Sequence, residues 1–248
     1  MPVVTRRRAL ASMASIAALG ALPATSSAAT AATRKPLRLT MVNLMPWAGN
    51  GPHGQPIGAL IELCAQLATL SGVPITPIPV PYGRAPHMLT GGGADLTLLI
   101  DTSAKGGAAI DYVGTVDIVV FGRSGFRFQR MEDLFGKTVG TLRHSGYSPE
   151  LEAEARIHKH AFDSYDQGVR MLQAGRLDVV LGVGDSIEYA LGKAAGLVSP
   201  RYPLMHGRVA LYANPQIDAA TIAALQAACR QLRQKRVMDE LLHRPQRR

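Results

Sequence analysis

Past Arg34 the chain alternates short apolar runs with stretches whose apolar residues recur every three or four positions, so strands and helices take turns. Leu37 to Leu44 alternates and predicts a first strand, broken into a loop by Met45-Pro46-Trp47-Ala48-Gly49-Asn50-Gly51-Pro52. Ile57, Leu60, Ile61, Cys64 and Leu67 fall at helical spacing ahead of Gly72. Ile75 to Val80 reads as a proline-studded strand near a sheet edge. Further strands are expected at Ile118–Phe121, Thr138–Leu142, Val198 and Val209–Tyr212, with Gly122 to Gly125 as a crossing and one helical turn at Met131–Lys137. Ser148 is placed to cap a helix that starts at Pro149, and His158 and His160 are expected on a solvated helix face. Ile187 to Leu191 suggests another helix. Asn214-Pro215 is expected to cap a long one through Leu232, with Ile217, Ala220, Ala224, Leu225 and Ala228 as its buried stripe.

One pattern occurs twice. Tyr82 to Asp101 and Tyr165 to Asp185 align without gaps, so that Tyr82 falls on Tyr165, Met88-Leu89 on Met171-Leu172, Gly92 on Gly175 and Asp95 on Asp178, each pair 83 positions apart. Each copy reads as a short amphipathic helix, a glycine stop, an aspartate and an apolar run suited to a buried parallel strand. Ser164 and Gln167 have the form of a capping box at the start of the second copy. Asp101 ends the first run and Asp185 follows the second. Ligands collect beyond the carboxyl ends of parallel strands, so the duplication predicts two α/β lobes facing one cleft. The alternative is two ordinary α/β units within one sheet. On the first reading, residues 36–121 and 205–248 make a discontinuous first lobe and 122–204 the second.

The first thirty residues stand outside this pattern. Arg6-Arg7-Arg8 precede an apolar, alanine-rich run from Ala9 to Leu22, and Ala29-Thr30-Ala31 offers a cleavage site, so residues 1–31 read as an export signal that is twin-arginine-like, with the Sec and twin-arginine routes both open. The run is short for a membrane span. Without it the formal charge falls from +9 to +6, and much of the excess lies in Arg230, Arg233, Lys235, Arg236, Arg244, Arg247 and Arg248. These fit a solvated terminal helix without interleaved aromatics, which argues against a nucleic-acid partner. Cys64 and Cys229 either pair or stay buried as thiols, and their spacing resembles no metal motif. No metal or other cofactor is expected.

Four segments in order, Gly54-Gln55-Pro56-Ile57-Gly58, Gly92-Gly93-Ala94-Asp95, Asp133-Leu134-Phe135-Gly136-Lys137-Thr138-Val139-Gly140 and Gly175-Arg176-Leu177-Asp178-Val179-Val180, resemble the extracellular solute-binding proteins of family 3. These are the polar amino-acid-binding type of periplasmic binding protein. The resemblance implies a two-lobe type II, venus-flytrap fold that closes on a small solute. It also implies an ABC permease as candidate partner; the chain itself is expected to be a monomer, with no stable membrane insertion once the signal is removed. Ser145 matches the family's carboxylate-binding serine or threonine, where a helix entrance would favour an anion. The family's clamping arginine is absent, with Lys105 the nearest cation, and its ammonium-binding aspartate is replaced by Val183.

The candidate ligand contacts follow from loop positions at strand ends. Trp47, the only tryptophan, forms a pocket wall or packs its loop onto the first lobe. Tyr82 and Arg84 open the first copy, Arg84 as a clamp for an acidic group or as half of a surface ion pair. Asp101 and Asp185 face the cleft or cap the turns after them, and Thr102, Lys105, Arg143, Ser145 and Tyr147 line the cleft or lie in solvated loops. A binder of a small polar solute, amino-acid-like or carboxylate-bearing, is the leading expectation. The alternatives are a periplasmic dehydratase of the prephenate or arogenate type, using Asp185 or Glu188 as acid or base, and a ligand sensor without transport.

Overall fold

A computed structural model describes residues 35–101, 107–192, 196 and 198–244. Its elements run β1 (Leu37–Val42), β2 (Gly49–Asn50), β3 (Pro56–Ile57), α1 (Ala59–Ser71), β4 (Ile75–Val80), α2 (Arg84–Thr90), β5 (Leu96–Ile100) and β6 (Ala108–Gly122). A 3-10 turn (Met131–Leu134) leads to β7 (Thr138–Leu142), α3 (Pro149–Ala153), β8 (His158–Phe162), α4 (Tyr165–Gln173), β9 (Val179–Val183) and α5 (Gly184–Leu191). The chain then returns through β10 (Tyr202–Ala213), α6 (Ala219–Gln234) and α7 (Val237–His243). The α/β class is as expected.

Eight strands form one ladder in the order β4-β1-β5-β10-β6-β9-β7-β8. One end, β4-β1-β5, is parallel and carries α1 and α2, with α6 and α7 packed on α1. The other end, β9-β7-β8, is also parallel and carries α4 and α5. The two long strands between them belong to both ends. β10 pairs with β5 over Val209–Ala213 and with β6 along its length, while β6 pairs with β9 over Ile118–Gly122. The β6–β10 ladder shifts register between Pro203 and Met205, Val209 and Ala210, and Leu211 and Tyr212. Such bulges bend and twist a strand pair. One apolar cluster runs through the molecule, from Leu39 and Met41 in β1 to Val139 in β7 and Leu241 in α7.

The duplicated pattern has matching geometry in its two copies. Gly92 and Gly175 both take φ 71°, the left-handed conformation that suits glycine after a helix. The Asp95 N–H donates to the Arg38 carbonyl at 3.0 Å, and Asp95 Oδ2 accepts the Arg38 N–H at 2.8 Å. Asp178 does the same with Thr138, whose N–H donates to Asp178 Oδ2 at 2.9 Å. Each aspartate thus clamps the first residues of the neighbouring strand, β1 in one half and β7 in the other. Each also holds an arginine, Arg38 or Arg123.

Three local expectations are corrected. His158 and His160 lie in β8, an edge strand exposed from His158 to Ala161, not on a helix. The long C-terminal helix is capped by Asp218, whose Oδ1 accepts the Thr221 N–H at 2.8 Å. Asn214 instead donates from Nδ2 to the Leu89 carbonyl, tying β10 to α2. The buried face of α6 is Thr221, Leu225, Ala228, Cys229 and Leu232. Cys64 and Cys229 are both free and buried.

Candidate functional site

The loop after β1 presents Trp47. The helix that follows has no side-chain cap at Gly58, so the Pro46 and Trp47 carbonyls accept its first amides, Ala59 N–H at 3.0 Å and Leu60 N–H at 2.6 Å. This fixes the loop on α1. Trp47 is 5% exposed, and its Nε1–H has no partner among the described residues. It lines a cavity of about 40 Å³ with Leu44, Leu98, Ile100, Val183 and Tyr82. The aromatic ring therefore does pack its loop onto the first half, and it is a cavity wall as well.

Tyr82 also borders a larger cleft of about 860 Å³. One wall is Tyr82, Gly83, Pro86, His87 and Thr90, at and within α2; the other is His144, Ser145, Gly146, Pro149 and Glu152, at and before α3. The walls approach closely at one point, where a side chain on Gly83 would start 2.8 Å from His144 Nδ1. Beneath the second wall lies a buried polar chain. Val183 N–H donates to Tyr165 Oη at 2.8 Å, and the Tyr165 and Tyr147 hydroxyls are 2.7 Å apart, with Ser145 bonded to Tyr147. Burial raises both phenol pKa values, and at Tyr147 the Tyr165 and Tyr82 phenols add to the rise. These hydroxyls stay neutral and work as hydrogen-bonding groups. Gly182 is what lets Tyr165 come so near β9, since any side chain there would collide with the phenol.

The other candidates are placed elsewhere. Asp101 binds Arg208, accepting its N–H at 3.0 Å and its Nε at 2.8 Å. Burial opposes ionisation of Asp101, but the Arg208 bonds outweigh it and hold the carboxyl below its ordinary range. Asp185 lies in the first turn of α5, 3.7 Å from Arg201. Burial raises its pKa, Arg201 opposes the rise, and Glu188 and Asp117 reinforce it. The Arg201 guanidinium also holds Asp117 at 2.7 Å and Glu188 at 3.2 Å. Asp185, Glu188, Arg201, Pro46 and His243 border a third cavity of about 390 Å³. No one of these three cavities contains both Asp101 and Asp185, which were expected to share a gap.

Arg143 is exposed and paired with Asp163 at 2.6 Å, and Arg84 is on the exposed side of α2. Tyr147 is buried rather than solvated. Ser145 is also buried, and its N–H donates to the Leu142 carbonyl. The expected anion contact through the Ser145 amide is therefore occupied. The helix after it, α3, is only five residues long with Glu150 and Glu152 in its first turn. Thr102 and Lys105 lie outside the described residues. The structure thus brings together Trp47 with Tyr82, and Tyr82 with Ser145 and Tyr147. His87, His144 and Thr90 were missed, although His144 adjoins the predicted Arg143 and Ser145. Among the described residues no group of three His, Cys, Asp or Glu side chains could hold a metal ion, and no helix is long and apolar enough to cross a membrane.

No protein-family model matches the sequence, and no curated protein matches it either. Solved structures do. A mutant of ArgBP from T. maritima superposes with TM-score 0.69 at 20% identity, covering 84% of this chain and 93% of its own. An amino acid ABC transporter substrate-binding protein from Streptococcus pneumoniae, bound to L-arginine, gives 0.69 at 16% identity, with 84% and 92% covered. A histidine kinase sensor domain with similarity to periplasmic binding proteins gives 0.68 at 17%, with 84% and 94% covered. At these identities the likeness establishes the fold. Two parallel ends joined by two shared strands, superposing on these structures over most of both chains, make this the type II periplasmic binding protein fold.

Proposed function

We propose that the mature chain is an exported, non-catalytic binder that captures a small amino-acid-like or carboxylate-bearing solute between its two halves, residues 36–121 with 205–248 and residues 122–204. The observation that carries this is the cleft whose walls come from opposite ends of the ladder, Tyr82 to Thr90 and His144 to Glu152. Because β6 and β10 run through both ends, bending in those two strands changes the separation of the walls. Affinity then resides in contacts that only the closed form completes. Trp47 and Tyr82 are the contacts this reading assigns. Residues 1–31 direct export to the periplasm, and an ABC permease receives the solute.

A broad solute screen by thermal shift tests the proposal. A ligand at a hundred times its Kd adds about 2.7 kcal/mol of stability, and Tyr82→Ala should weaken its binding at least tenfold. A screen without any stabilising solute, or wild-type affinity in Tyr82→Ala, would overturn it. The likeness to a kinase sensor domain favours a second reading, ligand sensing without transport. Permease-dependent uptake of the labelled solute separates the two.

A further inference from the structure

Two residues on facing walls of the larger cleft have backbones that suit each other's side chains better than their own. Gly83, at the start of α2, has φ −67° and ψ −15°, helical values that any residue adopts, and no side chain caps the helix there. Nothing in its own conformation calls for glycine. His144, in the turn after β7, has φ 65°, the left-handed region that glycine occupies freely and a side-chain-bearing residue enters at a cost.

The two positions meet in space. A Cβ on Gly83 would lie 2.8 Å from Nδ1, 3.1 Å from Cγ and 3.3 Å from Cβ of His144. Carbon atoms pack best at about 3.5–4.0 Å, so even the His144 Cβ, which no rotation of the ring moves, would be crowded. Position 83 is therefore bare because His144 rests on it. The contact joins opposite ends of the ladder, since α2 packs on β1 and β5 while His144 follows β7. Its neighbours approach as well. Tyr82 lines the small cavity with Val183 of β9, and its phenol lies near enough to Tyr147 to disfavour ionisation there.

We infer that Gly83 is the closure-limiting position of the cleft: its missing side chain is the seat His144 takes when the two halves meet, so the size of residue 83 sets how far the cleft shuts on a solute. This rests on the solute-binding function proposed above and adds to it the residues that limit closing.

Cross-linking across the cleft tests the inference without any solute. Cysteines replace Thr90 and Glu152, exposed residues on the two walls, and a short bis-maleimide joins them only while the walls are near. The native Cys64 and Cys229 are buried and stay silent. The rate follows the population of the closed form, including a minor one. Gly83→Leu should slow cross-linking about tenfold or more and Gly83→Ala by less, whereas in a His144→Gly background Gly83→Leu should change the rate by less than about twofold. Labelling by a mono-maleimide controls for thiol reactivity, and urea midpoints control for folding. Should Gly83→Leu fail to fold, Gly83→Ala carries the comparison, because alanine accepts the angles of Gly83. An unchanged rate in the Gly83 variants, or equal slowing with and without the His144 ring, overturns the inference. Solute binding would still stand, since the solute screen decides it separately.

Discussion

Replacing Asp95 with alanine should unfasten the start of β1, and the size of the effect follows from one hydrogen bond. Asp95 Oδ2 accepts the part-buried Arg38 N–H at 2.8 Å, a charge-assisted bond of the kind that contributes about 1.5–3 kcal/mol. The part-buried guanidinium contacts of Arg38, at 3.1 Å, are screened by solvent on the arginine side and add to this in the same direction. At about 2–4 °C per kcal/mol for a chain of this size, the melting temperature should fall by roughly 3–12 °C. Asp178→Ala removes the matching bond to Thr138 N–H at 2.9 Å and should cost about the same. Urea unfolding followed by circular dichroism measures both. The Asp95 effect also carries a pH signature. The Arg38 side-chain bonds, against burial, hold its carboxyl below the ordinary aspartate range. The folded state then binds this proton later than the unfolded state, so the stabilisation is complete above about pH 4 and fades as pH falls through the lowered value. The gap between wild type and Asp95→Ala should therefore narrow in acid. A loss below about 0.5 kcal/mol at neutral pH, less than a single neutral hydrogen bond contributes, or a gap that widens in acid, would refute the clamp.

Tyr165→Phe deletes the oxygen that accepts Val183 N–H and leaves Tyr147 without that partner, so denaturant midpoints should report a loss of about 2–3 kcal/mol. Burial pushes the thiols of Cys64 and Cys229 up to about 12. A thiol reagent at mildly alkaline pH should therefore find neither in the native protein and both after denaturation. Asp185→Asn should raise the stability of the protein at neutral pH, because burial makes the ionised carboxyl unfavourable. Its folded pKa lies above the unfolded one, so the gain should shrink as pH falls through that raised value, and a gain that grows in acid would contradict the assignment.

The duplicated unit was legible because its parts act locally. A glycine after a helix and an aspartate before a strand specify their own geometry, and Gly92, Gly175, Asp95 and Asp178 all do so. The long strands were only partly legible. Ile118–Phe121 and Val209–Tyr212 carry apolar runs, but the rest of β6 is interrupted by Asp111 and Asp117, which are answered by Arg233 and Arg201. β8 escaped notice because an edge strand can expose His158, Lys159 and His160 and show no alternation. In α6 the many alanines blur the face, so Ala220 was expected inside and is exposed, while Thr221 is buried. At the candidate site, Trp47 and Tyr82 were visible from their loop positions. The fate of Asp101 was not, since its partner Arg208 arrives 107 residues later.

The sharing of β6 and β10 bears on any attempt to dissect the molecule. A fragment ending near Gly122 would keep β6 but lack β10, and so lose the strand that joins β5 to it. A fragment spanning the β9-β7-β8 end without β6 would bare the flank of β9. Either piece would present an unpaired strand border, the kind of surface that recruits other chains into aggregates. The two ends are thus a single inheritable unit, and shuffling one of them into another protein would require carrying both spanning strands along.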